Sequence, residues 1–319
     1  MKSGAELEPF LFYNYLGISL FPVLFFIAGL NSGYFSLIIK ILTVYVITAM
    51  VLSLFFFGYF ELQVFLLMPI FFLILIIPIR KKWFGLLIFL ISVGLVIISL
   101  TNRAGILRIL MSYCILIVMF VVQTMKISKK LIKFVVFCLL LIPLLSLYFG
   151  LQGQSVFQFV LGDTESYSQM NPYADTRTFL YYEVFQDLHA NNAFLFGKGL
   201  NASYASEAFA TYSRPVVEVG FLQMLLKTGI IGCILYFAVV LTAVSKALGR
   251  SKSYFMKSMG LLLTGYVIMF FVENIIAYNL LNIVIWIIIG MCYSVRMREL
   301  TDDEIRSLLI VKKISPVSK

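Results

Sequence analysis

Long apolar runs separated by short polar breaks fill this chain, and many are long enough to cross a ~30 Å hydrocarbon layer as a helix. The pattern predicts nine helical spans, at residues 10–30, 34–57, 62–79, 83–100, 104–124, 131–151, 216–245, 254–272 and 280–295. The seventh is too long, since a continuous helix over 216–245 would measure about 45 Å. The "TGIIG" at 228–232 supplies a glycine-tolerant break. The expectation is an outer segment, 216–227, at the membrane interface and a true span from 228 onward.

Most connections between these runs are short, and residues 152–215 are the exception. Loops of such length are functional or disordered far more often than not. Around "RTFLYYEVFQDL" this one mixes aromatics and charges at helical spacing, which predicts an ordered, partly helical cap on the outer membrane surface. The chain reads as a single membrane domain, 1–319, with that cap and a charged cytoplasmic tail at 296–319. The opening "MKSGAELEPF" has no basic stretch followed by an apolar core, so no cleavable signal is expected.

Composition agrees with the pattern: 61% of residues are hydrophobic and 13% charged, too little polar surface for a water-soluble domain of 319 residues. The net charge of +10 would fit a nucleic-acid binder, but its placement explains it otherwise. Most Lys and Arg fall in every second connection: Arg80–Lys82, Lys126–Lys133, Lys246–Lys257 and the tail from Arg296. By the positive-inside rule these face the cytoplasm. Glu61, Asp163, Glu165, Asp175, Glu183, Asp187, Glu207 and Glu273 then fall on the opposite side. Nucleic acid is therefore not an expected partner, and the lipid bilayer is. Cys114, Cys138, Cys233 and Cys292 lie in apolar runs without metal-ligand or disulfide spacing, and read as packing residues.

Charges within the apolar runs need an explanation, because an arginine at the centre of a lipid-facing helix costs about 2.5–3.5 kcal/mol on insertion scales. Arg103, at the outer end of the fifth span, can snorkel to the interface or serve a site. Arg108 lies roughly 7.5 Å deeper, as part of a functional path or of a buried ion pair. Lys40, near the cytoplasmic end of the second span, can snorkel. Arg103, Arg177, Arg214, Lys227, Glu218 and Glu273 all fall near the outer leaflet. Arginine forks suit phosphate oxygens, and a carboxylate can act as base toward a hydroxyl. Those parts suit a lipid-diphosphate leaving group and a sugar acceptor, and equally an anion transporter.

Several stretches resemble the polytopic O-antigen polymerase and O-antigen ligase superfamily of bacterial polysaccharide assembly. "TNRAGILRIL" resembles the superfamily's Ser-Arg-small-small-aliphatic opening of a span, with Arg103 on its arginine. "DTRTFLYYEVFQDLHANNAFLFGKGLNAS" resembles its arginine-helix-glycine pattern, with Arg177, Gly197 and Gly199 in register. "VEVGFLQMLLKTGIIGCILYF" resembles the segment that ligases write as His-Asn-x-x-Leu, and "ENIIAYNLLNIVIWIIIG" the closing helix pair. Where ligases carry histidine this chain has Glu218, and its one histidine, His189, lies in the loop, either as a surface residue or as a catalyst. That departure favours a polymerase. Members often have more spans than this chain shows.

The resemblance implies an all-α, GT-C-like transmembrane bundle in the bacterial cytoplasmic membrane with its site on the extracytoplasmic side. It implies transfer of a growing glycan from undecaprenyl diphosphate to the terminal sugar hydroxyl of a lipid-linked repeat unit, without metal or other cofactor. Arg103 and Arg177, helped by Arg108 or Arg214, would hold the diphosphate, and Glu218 would be the base. Lys227, Gly197, Gly199 and Glu273 would line the substrate site. A chain-length regulator and a flippase would be partners. The alternatives are a ligase of the same superfamily and a transporter or flippase of lipid-linked or anionic sugars; repeated halves, common in transporters, are not evident here.

Overall fold

A computed structural model describes residues 20–55, 69–98, 103–151, 178–206, 211–274 and 280–309. Expectations for the remaining positions, Arg177 and the end of the tail among them, lie outside the described residues. In chain order the elements are α1 (Leu20–Leu30), α2 (Phe35–Phe55), α3 (Ile70–Ile74), α4 (Lys82–Ile98), α5 (Arg103–Thr124), α6 (Lys129–Leu151) and α7 (Thr178–Ala190). There follow β1 (Tyr204–Ser206), β2 (Thr211–Arg214), α8 (Gly220–Arg250), α9 (Tyr254–Phe270), α10 (Leu280–Tyr293), α11 (Val295–Glu299) and α12 (Asp302–Leu309). The described residues are mostly helical. Three helical stretches, Ser32–Leu52, Gly105–Thr124 and Gly220–Arg250, are long and apolar enough to cross a membrane.

Contacts group the chain into two compact units. The described parts of Phe134–Leu241 and Thr264–Ala277 belong to the first, and those of Ser19–Lys133, Thr242–Leu263 and Tyr278–Lys319 to the second.

In the second unit, α1 and α10 cross where Gly29 faces Gly290, and a Cβ on either would lie 2.9–3.0 Å from the other's Cα. Small residues let backbones of membrane helices approach this closely. The helices α2, α4 and α5 turn large apolar side chains outward, Leu37, Ile41, Phe89, Ile97, Leu110 and Phe120 among them. Patches of this kind mark a surface that water does not cover, and on apolar helices of this length lipid is the fitting solvent.

The expected span at 62–79 differs. From residue 70 the chain makes the short α3 and a 3-10 turn at Ile77–Ile79. Ile70–Ile76 is buried all round, with no residue above 2% exposed. Pro69 caps α3 and Pro78 sits in the 3-10 turn. An apolar run reads alike whether it faces lipid or other helices, and here it faces protein.

Residues 294–309, which include the described part of the expected tail, fold back on the unit. Ser294 caps α11. Thr301 and Glu304 form a reciprocal capping box on α12, in which the Thr301 amide donates to Glu304 Oε2 at 2.7 Å and the Glu304 amide to Thr301 Oγ1 at 3.3 Å. Asp302 accepts from the Tyr254 and Phe255 amides, each at 3.0 Å. A carboxylate at the start of α9 complements the helix dipole there. Met297, Ile305 and Leu309 are buried by this return.

Candidate functional site

The first unit is organised by the break expected in "TGIIG". Gly229 has φ 67° and ψ −171°, a region open only to glycine, and it divides α8. Breaking a helix strands amides and carbonyls around the break, and a buried backbone group without a partner is costly. The loop 194–199 supplies the partners. Carbonyls of Leu226 and Lys227 accept from the amides of Lys198 (2.8 Å) and Gly199 (3.2 Å). Amides of Ile230 and Ile231 donate to the carbonyls of Phe194 (2.8 Å) and Leu195 (3.3 Å). Gly197, with φ 69°, is the point of closest approach: a Cβ there would collide with the backbone of Lys227 and Thr228, and one on Gly229 with the Leu195 carbonyl.

Side chains lock the same loop. Lys198 Nζ pairs with Asp187 of α7 at 2.8 Å and donates to the Ser203 carbonyl at 2.7 Å. Lys227, only 2% exposed, donates to the Leu200 carbonyl at 3.1 Å. Two of the expected substrate-binding glycines and the expected substrate-binding lysine thus hold backbone in place here. The helix α7 presents Leu180, Tyr181, Val184 and Leu188 to the interior, and Tyr181 donates to the Phe271 carbonyl at 2.7 Å.

Beside the broken helix lies a polar cluster. β1 and β2 pair antiparallel with Tyr204 opposite Arg214. Tyr204 is 1% exposed, and its buried hydroxyl lies within reach of the charge on Arg214. Burial raises the phenol's pKa above its ordinary value; Arg214 opposes this, while Glu183 of α7 and Glu218 reinforce it. Arg214 Nη2 stands 3.5 Å from Glu218 Oε1, a long ion pair whose carboxylate is 44% exposed. The cluster therefore joins a shielded guanidinium to a solvent-facing carboxylate.

The approach to α8 is fixed by three hydrogen bonds. The Val217 amide donates to Gln223 Oε1 (2.6 Å), Asn274 Nδ2 to the Val217 carbonyl (2.8 Å), and the Gly220 amide to the Glu273 carbonyl (3.1 Å). Glu218 is thus held between rigid neighbours, and Glu273 enters through its backbone. Behind it the rings of Phe221, Phe237 and Phe271 stack, and the Tyr236 and Tyr266 hydroxyls meet at 2.8 Å.

Of the residues expected to act together, Arg214, Glu218, Lys227, Gly197, Gly199 and Glu273 belong to the first unit. Arg103 opens α5 in the second, and Arg108 is buried there at 6% exposed, its carbonyl accepting from Ser112 Oγ at 3.0 Å. His189 closes α7 near the Phe194 ring. Sequence reasoning missed Tyr204 and the role of Glu183; a lone tyrosine in a short strand carries no signal, and Glu183 sat within the helical pattern without a visible partner. Among the described residues no three His, Cys, Asp or Glu side chains form a group that could hold a metal ion.

The fold and site describe an α-helical chain with helices fit to cross a membrane, whose first unit is built around a broken helix and a charged cluster. No family model, curated protein or solved structure matches it.

Proposed function

We propose that this chain is a polysaccharide polymerase of the bacterial cytoplasmic membrane, moving a growing glycan from undecaprenyl diphosphate to the terminal sugar hydroxyl of a lipid-linked repeat unit. The observation that supports it best is the pairing of Arg214, beside the buried Tyr204, with the exposed carboxylate of Glu218. In this reading the membrane-spanning helices form a GT-C-like bundle, and the loop and cluster face the extracytoplasmic side.

The acceptor hydroxyl oxygen bonds to the anomeric carbon while the bond from that carbon to the diphosphate oxygen breaks. Glu218 takes the hydroxyl proton. Arg214 stabilises charge developing on the diphosphate, its 3.5 Å contact with Glu218 being loose enough to yield to a phosphate oxygen. Arg177 adds a cation on the strength of the resemblance. Aromatic residues of the loop stack on sugars and exclude water.

The test is deletion of the gene in its own host, followed by complementation. Single repeat units displayed outside the cell, with long polymer restored by the intact chain and not by Glu218→Gln, support the proposal. Repeat units trapped inside indicate a flippase, and normal polymer left on its lipid carrier indicates a ligase; either result overturns it.

A further inference from the structure

The second unit carries a pocket that glycosyl transfer does not use. It has a volume of about 690 Å3 and draws its lining from three distant parts of the chain: Lys40 of α2, the connection Arg80–Trp83, and Arg306 of α12. That volume lies within the ~300–1,000 Å3 typical of small-ligand sites. Lys40, Arg80, Lys81, Lys82 and Arg306 line it, and no carboxylate does among the described residues.

A basic connection alone is explained by topology, since the positive-inside rule asks only that cations stay on one side. It does not ask that Lys40 and Arg306 join them. Arg306 is brought there by the return of α12, with Nη2 donating to the Pro78 carbonyl at 3.2 Å, and its carboxylate contact, Asp303 at 3.5 Å, points into solvent at 91% exposed. Arg80 lies over the Phe84 ring at 5.6 Å, and its Nε is buried without a hydrogen-bond partner. Lys40 interrupts an otherwise apolar helix fit to span a membrane. The rest of the wall is apolar, from Val44, Ile79 and Leu309, and Trp83 stands at the rim 63% exposed, as interfacial tryptophans do.

We infer that this pocket binds the phosphate headgroup of an anionic membrane phospholipid, with an acyl chain running along the apolar wall beside Trp83. Converging cations cancel the phosphate charge, arginine forks hydrogen-bond its oxygens, and a nearby apolar surface distinguishes a lipid from a free anion. The inference rests on the membrane reading and not on glycosyl transfer.

The chain has two tryptophans, so Trp286→Phe leaves Trp83 as the sole reporter. The protein is placed in phosphatidylcholine vesicles containing increasing fractions of brominated phosphatidylglycerol or, separately, brominated phosphatidylcholine. Quenching of Trp83 should favour the anionic lipid by about fivefold or more, and each of Lys40→Gln and Arg306→Gln should lower that preference by about fivefold. The unsubstituted chain, with Trp286 as a constant buried background, gives the same comparison should Trp286→Phe fold poorly. Equal quenching by both lipids overturns the inference. So does abolition of the preference by millimolar inorganic phosphate, which would assign the pocket to a soluble anion.

Discussion

The Ile230 amide donates to the Phe194 carbonyl at 2.8 Å, across a helix that Gly229 has broken. The loop 194–199 thus completes α8, and the geometry of the break is set as much by the loop as by the helix.

Gly229→Ala and Gly197→Ala should each destabilise the protein by about 3 kcal/mol or more, because positive φ and backbone collision add. Gly199→Ala has positive φ but open space around its Cβ, and should lose only about 1–2 kcal/mol. Thermal melts in detergent should rank the variants in that order.

Lys198→Met removes the ammonium donor from the Asp187 carboxylate and the Ser203 carbonyl. Both side chains of the pair are mostly shielded, at 24% and 17% exposed, so a loss of about 1–3 kcal/mol is expected. A double-mutant cycle with Asp187→Asn measures the coupling; additive effects would show that the pair contributes nothing.

Tyr204 holds its proton more tightly in the folded chain than an exposed tyrosine would. It therefore contributes stability that is fully present below the ordinary phenol pKa of about 10 and is lost as pH rises through the higher folded value. Melting temperatures followed from pH 8 to 11 should fall at the alkaline end, and Tyr204→Phe should flatten that fall.

Glu218→Gln should reduce chain extension by about 10²–10⁴-fold, the usual contribution of a positioned base, while leaving the protein in the membrane. Arg214→Lys keeps the charge but loses the planar fork beside Glu218, and should lie between wild type and Arg214→Ala. Polymer length on gels, normalised to protein in the membrane fraction, gives both values.

The break at Gly229 was legible because two physical limits met in one segment: a helix longer than a bilayer, and glycines where it had to yield. The helix at 178–190 was legible from its periodicity. The reciprocal half of the break was not, since nothing in "LFGKG" states which carbonyls its amides will meet. The strands 204–206 and 211–214 are too short for alternation to register. Arg214 and Glu218 were both visible as charges expected near the outer leaflet, but the placing of a buried tyrosine opposite the arginine depends on strand register. The segment 70–79 reads as part of a span because hydropathy measures only dislike of water and is silent on whether lipid or protein replaces it; residues 70–76 are buried by protein.

The contact of Gly29 with Gly290 sets an order of assembly. α1 is among the first described helices to leave the ribosome and α10 among the last, yet each offers the other the only kind of surface, bare backbone, that so close a crossing accepts. During synthesis α1 must wait with its glycine groove open, and this crossing closes only once α10 arrives.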